Sequence, residues 1–367
     1  MSMKQYSNNL DIQASLHQAP EMASWMQGDN GKPTKPADSN GASESRSILQ
    51  TLMRTRQFRN FAAELFRIGQ KVGINVTPRH FYWPIPDLES LSQKDWTSAS
   101  LSDGVVLQLD TQLQMLEARL LPFCAECDFS EQPTGCDHEF YFNNGFFERV
   151  DAEIAYAMVR YLRPRRIIEI GSGQTTRLLA AALHRNAKEG SGGELLAIEP
   201  YPDAVLRRGF PGLSHLAMQR VQQVPLEVFT ALEDGDILFI DSSHVVAIDS
   251  DVIHEYLRIL PKLKPGVVIH SHDIFMPADY PQKFVMQNLC FWGEQYLLEA
   301  FLSYNRAFEV LWASSAMQLS HRAKLEKYFP AWAGSYLRMP EAVRAFTPTL
   351  DGSNVWPCSF WMQKTAA

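Results

Sequence analysis

Four short polar segments each directly follow an apolar run of the sequence, and their residue types could bind a ligand or move a proton. A glycine turn lets a ligand approach the backbone N–H groups at a helix start. An acid that follows later can accept the hydroxyls of a ribose. Carboxylates beside imidazoles can bind a divalent ion or act as a general base. The segments are Glu169-Ile170-Gly171-Ser172-Gly173, Glu199-Pro200, Asp241-Ser242-Ser243-His244 and His270-Ser271-His272-Asp273.

Alternating strand and helix patterns would place these segments at one edge of a sheet. Short β-branched runs that are apolar throughout are typical of parallel strands covered on both faces. Helical periodicity lies between the runs, at 175–184 and 249–260. This order predicts an α/β fold with a doubly wound sheet, in which ligands bind at the carboxyl ends of the strands. The predicted strands are 166–170, 194–198, 236–240 and 267–270.

The remaining segments are predicted to surround this sheet. Residues 1–45 are polar and aperiodic, which predicts a flexible tail. Residues 46–149 hold helical patterns and loops, and the sheet domain would span 150–367 with an insertion at about 313–357. We expect residues 46–149 and this insertion to form a lid. Helices are predicted at 47–72, 104–120, 285–304 and 320–345, and further strands at 308–312 and 359–363.

The composition excludes several classes of protein. The 367 residues carry a net charge of −7 and the pI is near 5.8, so the chain lacks the basic surface of a general nucleic-acid binder. It has neither a membrane-spanning apolar run nor the apolar start of a signal peptide, so we expect a cytoplasmic protein without a membrane partner. Five cysteines, an odd number, favour reduced thiols over disulfides. The spacing of Cys124, Cys127, Cys136 and His138 leaves a zinc site as an open alternative.

The order of these motifs resembles the class I S-adenosylmethionine-dependent methyltransferases over about 150–275. The resemblance is carried by the glycine turn, by Glu199, by the run from Asp236 to Asp241 and by Leu263-Lys264-Pro265-Gly266. Residues 240–244 with His272 and Asp273 look most similar to the macrocin O-methyltransferase and cephalosporin-hydroxylase-related branch. The resemblance implies a Rossmann-like sheet of seven strands whose last strand is antiparallel. It also implies S-adenosylmethionine as the cofactor and a divalent metal, magnesium or manganese, beside it.

The resemblance further implies a role for each candidate residue. His244 would be the catalytic base that takes the proton of an acceptor hydroxyl. The metal would be held by Asp241, His272 and Asp273. The residues expected to bind the cofactor are Glu169, Gly171, Ser172, Gly173, Glu199, Pro200 and Asp241.

These features predict O-methylation of a small-molecule or sugar hydroxyl. A nicotinamide-dependent oxidoreductase is an alternative, because the glycine turn and Glu199 could also bind a dinucleotide, although Thr176 stands where such sites prefer a third glycine. A non-catalytic binding protein that keeps the fold is a second alternative. The sequence leaves open whether a metal is bound and whether the chain forms a homo-oligomer.

Overall fold

The computed structural model describes residues 56–77, 83–96, 99, 101–336 and 356–366. The chain divides into two compact units, residues 1–83 and residues 84–367. In the first unit, helix α1 (Arg56–Lys71) falls within the helix predicted at 47–72. The tail predicted at 1–45 lies outside the described residues.

The second unit is built on a seven-stranded sheet of order β3-β2-β1-β4-β5-β7-β6. The first five strands run parallel, and β7 is antiparallel to both β5 and β6. The predicted fold class, an α/β Rossmann-like sheet with an antiparallel last strand, is therefore confirmed. The strands are β1 (Arg166–Ile170), β2 (Glu194–Ile198), β3 (His215–Ala217), β4 (Ile237–Ile240), β5 (Val268–Ser271), β6 (Phe308–Ala313) and β7 (Phe360–Lys364).

Helices connect and cover these strands. Two of them run into a π-helical turn, at Leu116–Leu120 and at Glu255–Ile259, and a short 3-10 turn (Leu260–Lys262) follows the second. The α-helices of the second unit are α2 (Leu88–Leu91), α3 (Leu109–Met115), α4 (Leu121–Cys124), α5 (Asp151–Leu162), α6 (Gln174–Lys188), α7 (Ala204–Arg208), α8 (Leu226–Thr230), α9 (Asp251–His254), α10 (Gln282–Met286), α11 (Glu294–Leu302), α12 (Ser314–Tyr328) and α13 (Pro330–Tyr336).

Alternate residues of the strands enter two separate apolar clusters. Ile167 and Phe239 belong to one cluster, whereas Ile168 and Leu238 belong to the other. Because successive side chains of a strand point to opposite faces, the sheet is covered on both sides. Full burial of one such side chain stabilises the fold by about 1.5–3 kcal/mol. The sheet is therefore a stable support for the polar segments that follow its strands.

The single helix predicted at 285–304 is wrong. The chain instead forms α10 and α11, separated by residues 287–293. Leu289 in this gap has a left-handed backbone (φ 59°), and Gly293 begins α11. The apolar side chains in 285–304 are spaced like those of one continuous helix. At the start of α11, the N–H groups of Gly293 and Glu294 donate to the backbone oxygen of His244, in the chain that leaves β4.

The two segments expected to act as a lid contribute strongly to the core. Leu116, Phe142 and Phe147 are fully buried in the first segment, as are Met317 and Trp332 in the described part of the insertion. A lid function for these segments stays a prediction. None of the described helices is both long and apolar enough to cross a membrane.

Candidate active site

The glycine turn after β1 lies directly against the chain that leaves β4. Gly171 has φ +78°, and a Cβ atom there would lie 1.9 Å from the carbonyl oxygen of Asp241. The N–H of Gly171 donates to Ile198 (3.1 Å), and the N–H of Asp241 donates to Ile170 (2.9 Å). Only glycine fits this position, and the hydrogen bonds draw the ends of β1, β2 and β4 together.

Glu169 lies beneath this turn. Its carboxylate is fully buried and accepts the hydroxyl groups of Thr175 and Thr176, both at 2.6 Å. Burial raises its pKa to about 7, although the two threonine hydrogen bonds oppose the shift. Glu169 therefore fixes the start of α6, and its predicted contact with a cofactor stays a prediction.

A first cavity of about 400 Å³ opens at the carboxyl ends of β1, β2 and β4. Glu199 lies at its edge: one carboxylate oxygen accepts the N–H of Ser172 (3.2 Å) and the other accepts the N–H of Tyr201 (2.8 Å). The carboxylate is thus held in place, and each oxygen keeps a further lone pair for a ligand hydroxyl. Of the predicted cofactor-binding residues, Gly171, Glu199, Pro200 and Asp241 line this cavity, whereas Glu169, Ser172 and Gly173 do not.

A second cavity of about 540 Å³ adjoins the first and shares Asp241, Ser242 and Ser243 with it. Its wall combines carboxylates and imidazoles with one lysine, one asparagine and three aromatic rings. Gly145 and Phe146 of the expected lid segment belong to this wall. The other lining residues are His244, His272, Asp273, Lys283, Phe284, Asn288 and Trp292.

His244 lies at the wall of the second cavity in a left-handed backbone conformation (φ 60°) and is 6% exposed. Its Nδ1 lies 2.8 Å from a carboxylate oxygen of Glu294, and its Nε2 lies 3.4 Å from Asp273 and 3.6 Å from Asp241. Burial alone would lower the pKa of His244, but the Glu294 hydrogen bond and the neighbouring carboxylates raise it to about 9. The imidazole can therefore hold a proton firmly at this place.

Glu294, which the sequence analysis missed, is the partner that orients His244. The residue is fully buried at the first turn of α11 and also accepts the hydroxyl of Tyr256 (2.9 Å). The backbone oxygen of His244 in turn accepts the N–H groups of Gly293 (2.9 Å) and Glu294 (3.2 Å). Glu294 thus holds both the ring and the main chain of His244. Its position in a segment predicted as mid-helix hid this role.

His272 lies between two pairs of possible partners. Its Nδ1 faces Asp241 (3.6 Å) and Asp273 (3.9 Å), and its Nε2 faces Asp151 (3.6 Å) and Cys358 (3.5 Å). Although burial favours the neutral acid, the charges of His272 and His244 hold the pKa of Asp241 below its usual value. The sequence-predicted metal ligands Asp241, His272 and Asp273 are thus neighbours.

Asp151, His272 and Cys358 each offer one atom that can bind a metal, and these three atoms all lie within 4.8 Å of one another. This is the one such group among the described residues. The predicted trio shares only His272 with this group, and its own ligand atoms do not all meet that limit. Asp151 and Cys358 were missed because they lie far from the four polar segments in sequence. Metal binding by the predicted trio stays a prediction.

The cysteines proposed as an alternative zinc site do not gather in this way within the described chain. Cys124 and Cys127 are buried in the apolar core, which raises the pKa of both thiols. Cys136 lies 3.3 Å from Nδ1 of His138. All five cysteines are free thiols in the structure.

Comparison with known proteins gives three findings. Residues 168–274 match the model of a family described as a methyltransferase domain. An uncharacterized protein from Archaeoglobus fulgidus is 33% identical over 183 residues, which cover 47% of this chain and 82% of the archaeal protein. A crystal structure of a putative protein-L-isoaspartate O-methyltransferase from Plasmodium falciparum, in complex with S-adenosyl-L-homocysteine, is 12% identical over 46% of this chain and 84% of its own, with a TM-score of 0.28. The family match spans β1 to β5 and the polar segments that follow them.

Proposed function

The chain belongs to the same family as the Archaeoglobus fulgidus protein and contains a methyltransferase domain, and we propose that it transfers the methyl group of S-adenosylmethionine to a hydroxyl group of a small molecule or sugar. The observation that carries this proposal is the pair of cavities that meet at Asp241, Ser242 and Ser243. Methyl transfer needs a donor and an acceptor held in line in adjoining sites. A single ligand pocket would not meet that need.

The first cavity fits the donor. Its volume of about 400 Å³ lies within the range of small-molecule sites. A side chain at Gly171 would clash with Asp241, whereas a Cβ atom at Gly173 would meet no atom within 4 Å, so the turn leaves open space beside the start of α6. The fixed carboxylate of Glu199 is suited to accept ribose hydroxyls. S-adenosylmethionine, when bound, supplies the methyl group from its sulfonium sulfur.

The second cavity fits the acceptor and its proton. We assign His244 as the base. Its Nδ1–H donates a hydrogen bond to Glu294, so Nε2 is the nitrogen that takes the proton of the acceptor hydroxyl. The acceptor oxygen then forms its bond to the methyl carbon while the carbon–sulfur bond breaks. Trp292, whose ring lies 4.7 Å from that of His244, and Phe284 offer flat apolar surfaces for a small organic acceptor.

The sequence also predicts that a metal assists the reaction, and the proton transfer assigned to His244 does not require one. The trio Asp241, His272 and Asp273 is not the group of described residues whose ligand atoms all lie within 4.8 Å of one another, and metal binding by it stays a prediction. The membership of the macrocin O-methyltransferase branch, in which that trio would be the metal site, likewise stays a prediction.

Calorimetric titration with S-adenosylmethionine and, separately, with NADH tests the donor site. We expect the first to bind and the second not to bind. Glu199→Ala should weaken S-adenosylmethionine binding by about 1–3 kcal/mol, as for loss of a charged hydrogen-bond partner. Glu194→Ala is the matched control, because Glu194 is exposed at the opposite end of the same strand. Preferred binding of NADH, or equal affinity in both variants, would refute the donor site.

Turnover tests the transfer itself. The protein is incubated with labelled S-adenosylmethionine and a panel of sugar and phenolic hydroxyl acceptors, and the methylated product is measured. We expect product from at least one acceptor and at least about 100-fold less from His244→Ala. Cofactor binding without product from any acceptor would favour the non-catalytic alternative.

A further inference from the structure

Three side chains from distant parts of the sequence converge behind the second cavity. Asp151 is the first residue of α5, His272 follows β5, and Cys358 precedes β7. All three are buried, and they form the one group of its kind among the described residues. The methyl-transfer scheme above uses none of them.

The separations within this group match the edges of a metal coordination tetrahedron. Cys358 Sγ lies 3.5 Å from His272 Nε2, and Nε2 lies 3.6 Å from Asp151. Zinc bonds of about 2.0–2.3 Å in a tetrahedron place neighbouring ligand atoms roughly 3.3–3.8 Å apart. Asp273 offers a fourth ligand, because its carboxylate oxygen lies 3.4 Å from the same sulfur.

Cys358 Sγ lies within the hydrogen-bond distance of a sulfur atom from His272 Nε2 (3.5 Å) and Asp273 (3.4 Å), but N–H···O hydrogen bonds do not account for the position of the His272 ring. The carboxylate oxygens nearest to the two ring nitrogens of His272 stand at 3.6 Å, beyond the usual range for an N–H···O bond. A small cavity of about 20 Å³ is lined by Asp151, His272, Asp273 and Cys358 together, which is space for a single ion or water. His272 lines this space, and its Nε2 faces the sulfur of Cys358 at 3.5 Å and the carboxylate of Asp151 at 3.6 Å.

The surroundings hold the ligands in the orientation that a metal needs. Asp151 accepts the backbone N–H groups of Cys358 (2.7 Å) and Ser359 (3.1 Å) and the hydroxyl of Ser314 (2.7 Å). The opposite ring nitrogen of His272 faces Asp241. A metal-bound histidine almost always turns its second nitrogen to a carboxylate or carbonyl, which fixes the ring.

We propose that Asp151, His272 and Cys358 bind one zinc ion, with Asp273 nearest to its fourth position. A thiolate, an imidazole and carboxylates are a typical zinc donor set and a poor one for magnesium. Binding releases the thiol proton of Cys358 to solvent, since the thiolate is the ligand. The ion joins the start of α5 to the end of β5 and to the chain entering β7, and Asp241, at the junction of the two cavities, orients the ring of His272. This proposal does not depend on the methyl-transfer scheme.

Metal analysis and cobalt substitution test the proposal. Elemental analysis of the purified full chain should find about one zinc per chain, in line with the tight binding of structural zinc sites. After chelation, titration with cobalt(II) should produce a thiolate-to-cobalt charge-transfer absorption band, which zinc then displaces. Cys358→Ser should abolish the band, whereas Cys290→Ser should keep it, because Cys290 lies outside the group. Circular dichroism checks that both variants fold.

If Cys358→Ser does not fold, measurements on the wild-type protein still test the proposal. Cobalt that binds without a thiolate band, or no bound cobalt or zinc at all, overturns the proposal. A band that persists in Cys358→Ser also overturns it. Asp241→Asn should weaken zinc binding by about 10–100-fold, as for other carboxylates behind a metal-bound histidine, and unchanged affinity would contradict the orientation assigned to His272.

Discussion

His244 is fixed at both its ring and its main chain, which is unusual for a residue at a cavity wall. Glu294 accepts a hydrogen bond from the ring, and the N–H groups of Gly293 and Glu294 at the start of α11 donate to the backbone oxygen of His244. The left-handed φ of 60° at this non-glycine residue is sustained by these contacts. A general base needs such orientation, because proton transfer requires hydrogen-bond geometry with the acceptor. Glu294 is therefore a positioning residue.

We predict that Glu294→Gln lowers turnover by about tenfold or more and moves its pH dependence. With a pKa of about 9, His244 is mostly protonated near neutral pH, so the wild-type rate should rise with pH toward about 9. The neutral amide no longer stabilises the imidazolium, so the midpoint of the variant should fall to lower pH. Glu299→Gln on the same helix is the control, because Glu299 binds Ser102 instead. Equal midpoints in the two variants would contradict the orienting role.

Glu169 gives a prediction about stability. Burial raises its pKa to about 7 in the folded chain, from about 4.5 for an exposed glutamate. Between these two pH values the folded state binds more protons than the unfolded state. The stabilisation that Glu169 contributes is therefore fully present below about pH 4.5 and is lost as the pH rises through 7. Over that window the free energy of unfolding should fall by about 3 kcal/mol, a loss that Glu169→Gln should lack. Urea denaturation from about pH 5 to 8 measures the difference; parallel curves for the two proteins would refute it.

At the scale of elements, the contiguous apolar runs were sufficient to predict β1, β2, β4 and β5. The strand β3 was missed because its three residues, His215–Ala217, form no apolar run. The predicted helix at 285–304 was wrong, because side-chain periodicity carries no sign of the break at 287–293. That error hid Glu294. The local sequence pattern was thus sufficient to locate the polar segments that follow the strands. Residues that reach the site only through tertiary contacts, such as Asp151 and Cys358, have no local sequence signal.

The turn between β1 and α6 allows a matched pair of substitutions. Gly171→Ala should lower the free energy of unfolding by at least about 2 kcal/mol, because the new Cβ would meet a backbone carbonyl at a positive φ. Gly173→Ala should cost much less stability, because its Cβ would enter open space and its φ of −175° is extended. Thermal and urea denaturation of the two variants measure the contrast. Similar losses in both would show that the close approach at Gly171 is relieved by movement of β4.

At the scale of the whole molecule, the second unit holds both the core and the candidate site. Within the part of the chain that the structure describes, the two apolar clusters draw their residues from Leu91 onward. The residues that line the first and second cavities lie between Gly145 and Trp292, and the proposed zinc ligands lie between Asp151 and Cys358. Among the described residues, the core and the candidate site therefore both lie within residues 84–367.

We therefore predict that a chain beginning at Pro84 folds and binds S-adenosylmethionine with unchanged affinity. Its melting temperature should stay within about 2 °C of the full chain, which corresponds to roughly 1 kcal/mol in a domain of this size. A chain beginning at Ala125 is the matched control, because it also lacks Leu116 and Leu120, both fully buried. Each lost leucine should cost about 2–5 kcal/mol, so this shorter chain should be unfolded or insoluble. Calorimetry and scanning thermal denaturation make the comparison. A large loss of stability in the chain beginning at Pro84 would mean that residues 1–83 are part of the folding unit, and a loss of cofactor affinity alone would mean that they complete the binding site.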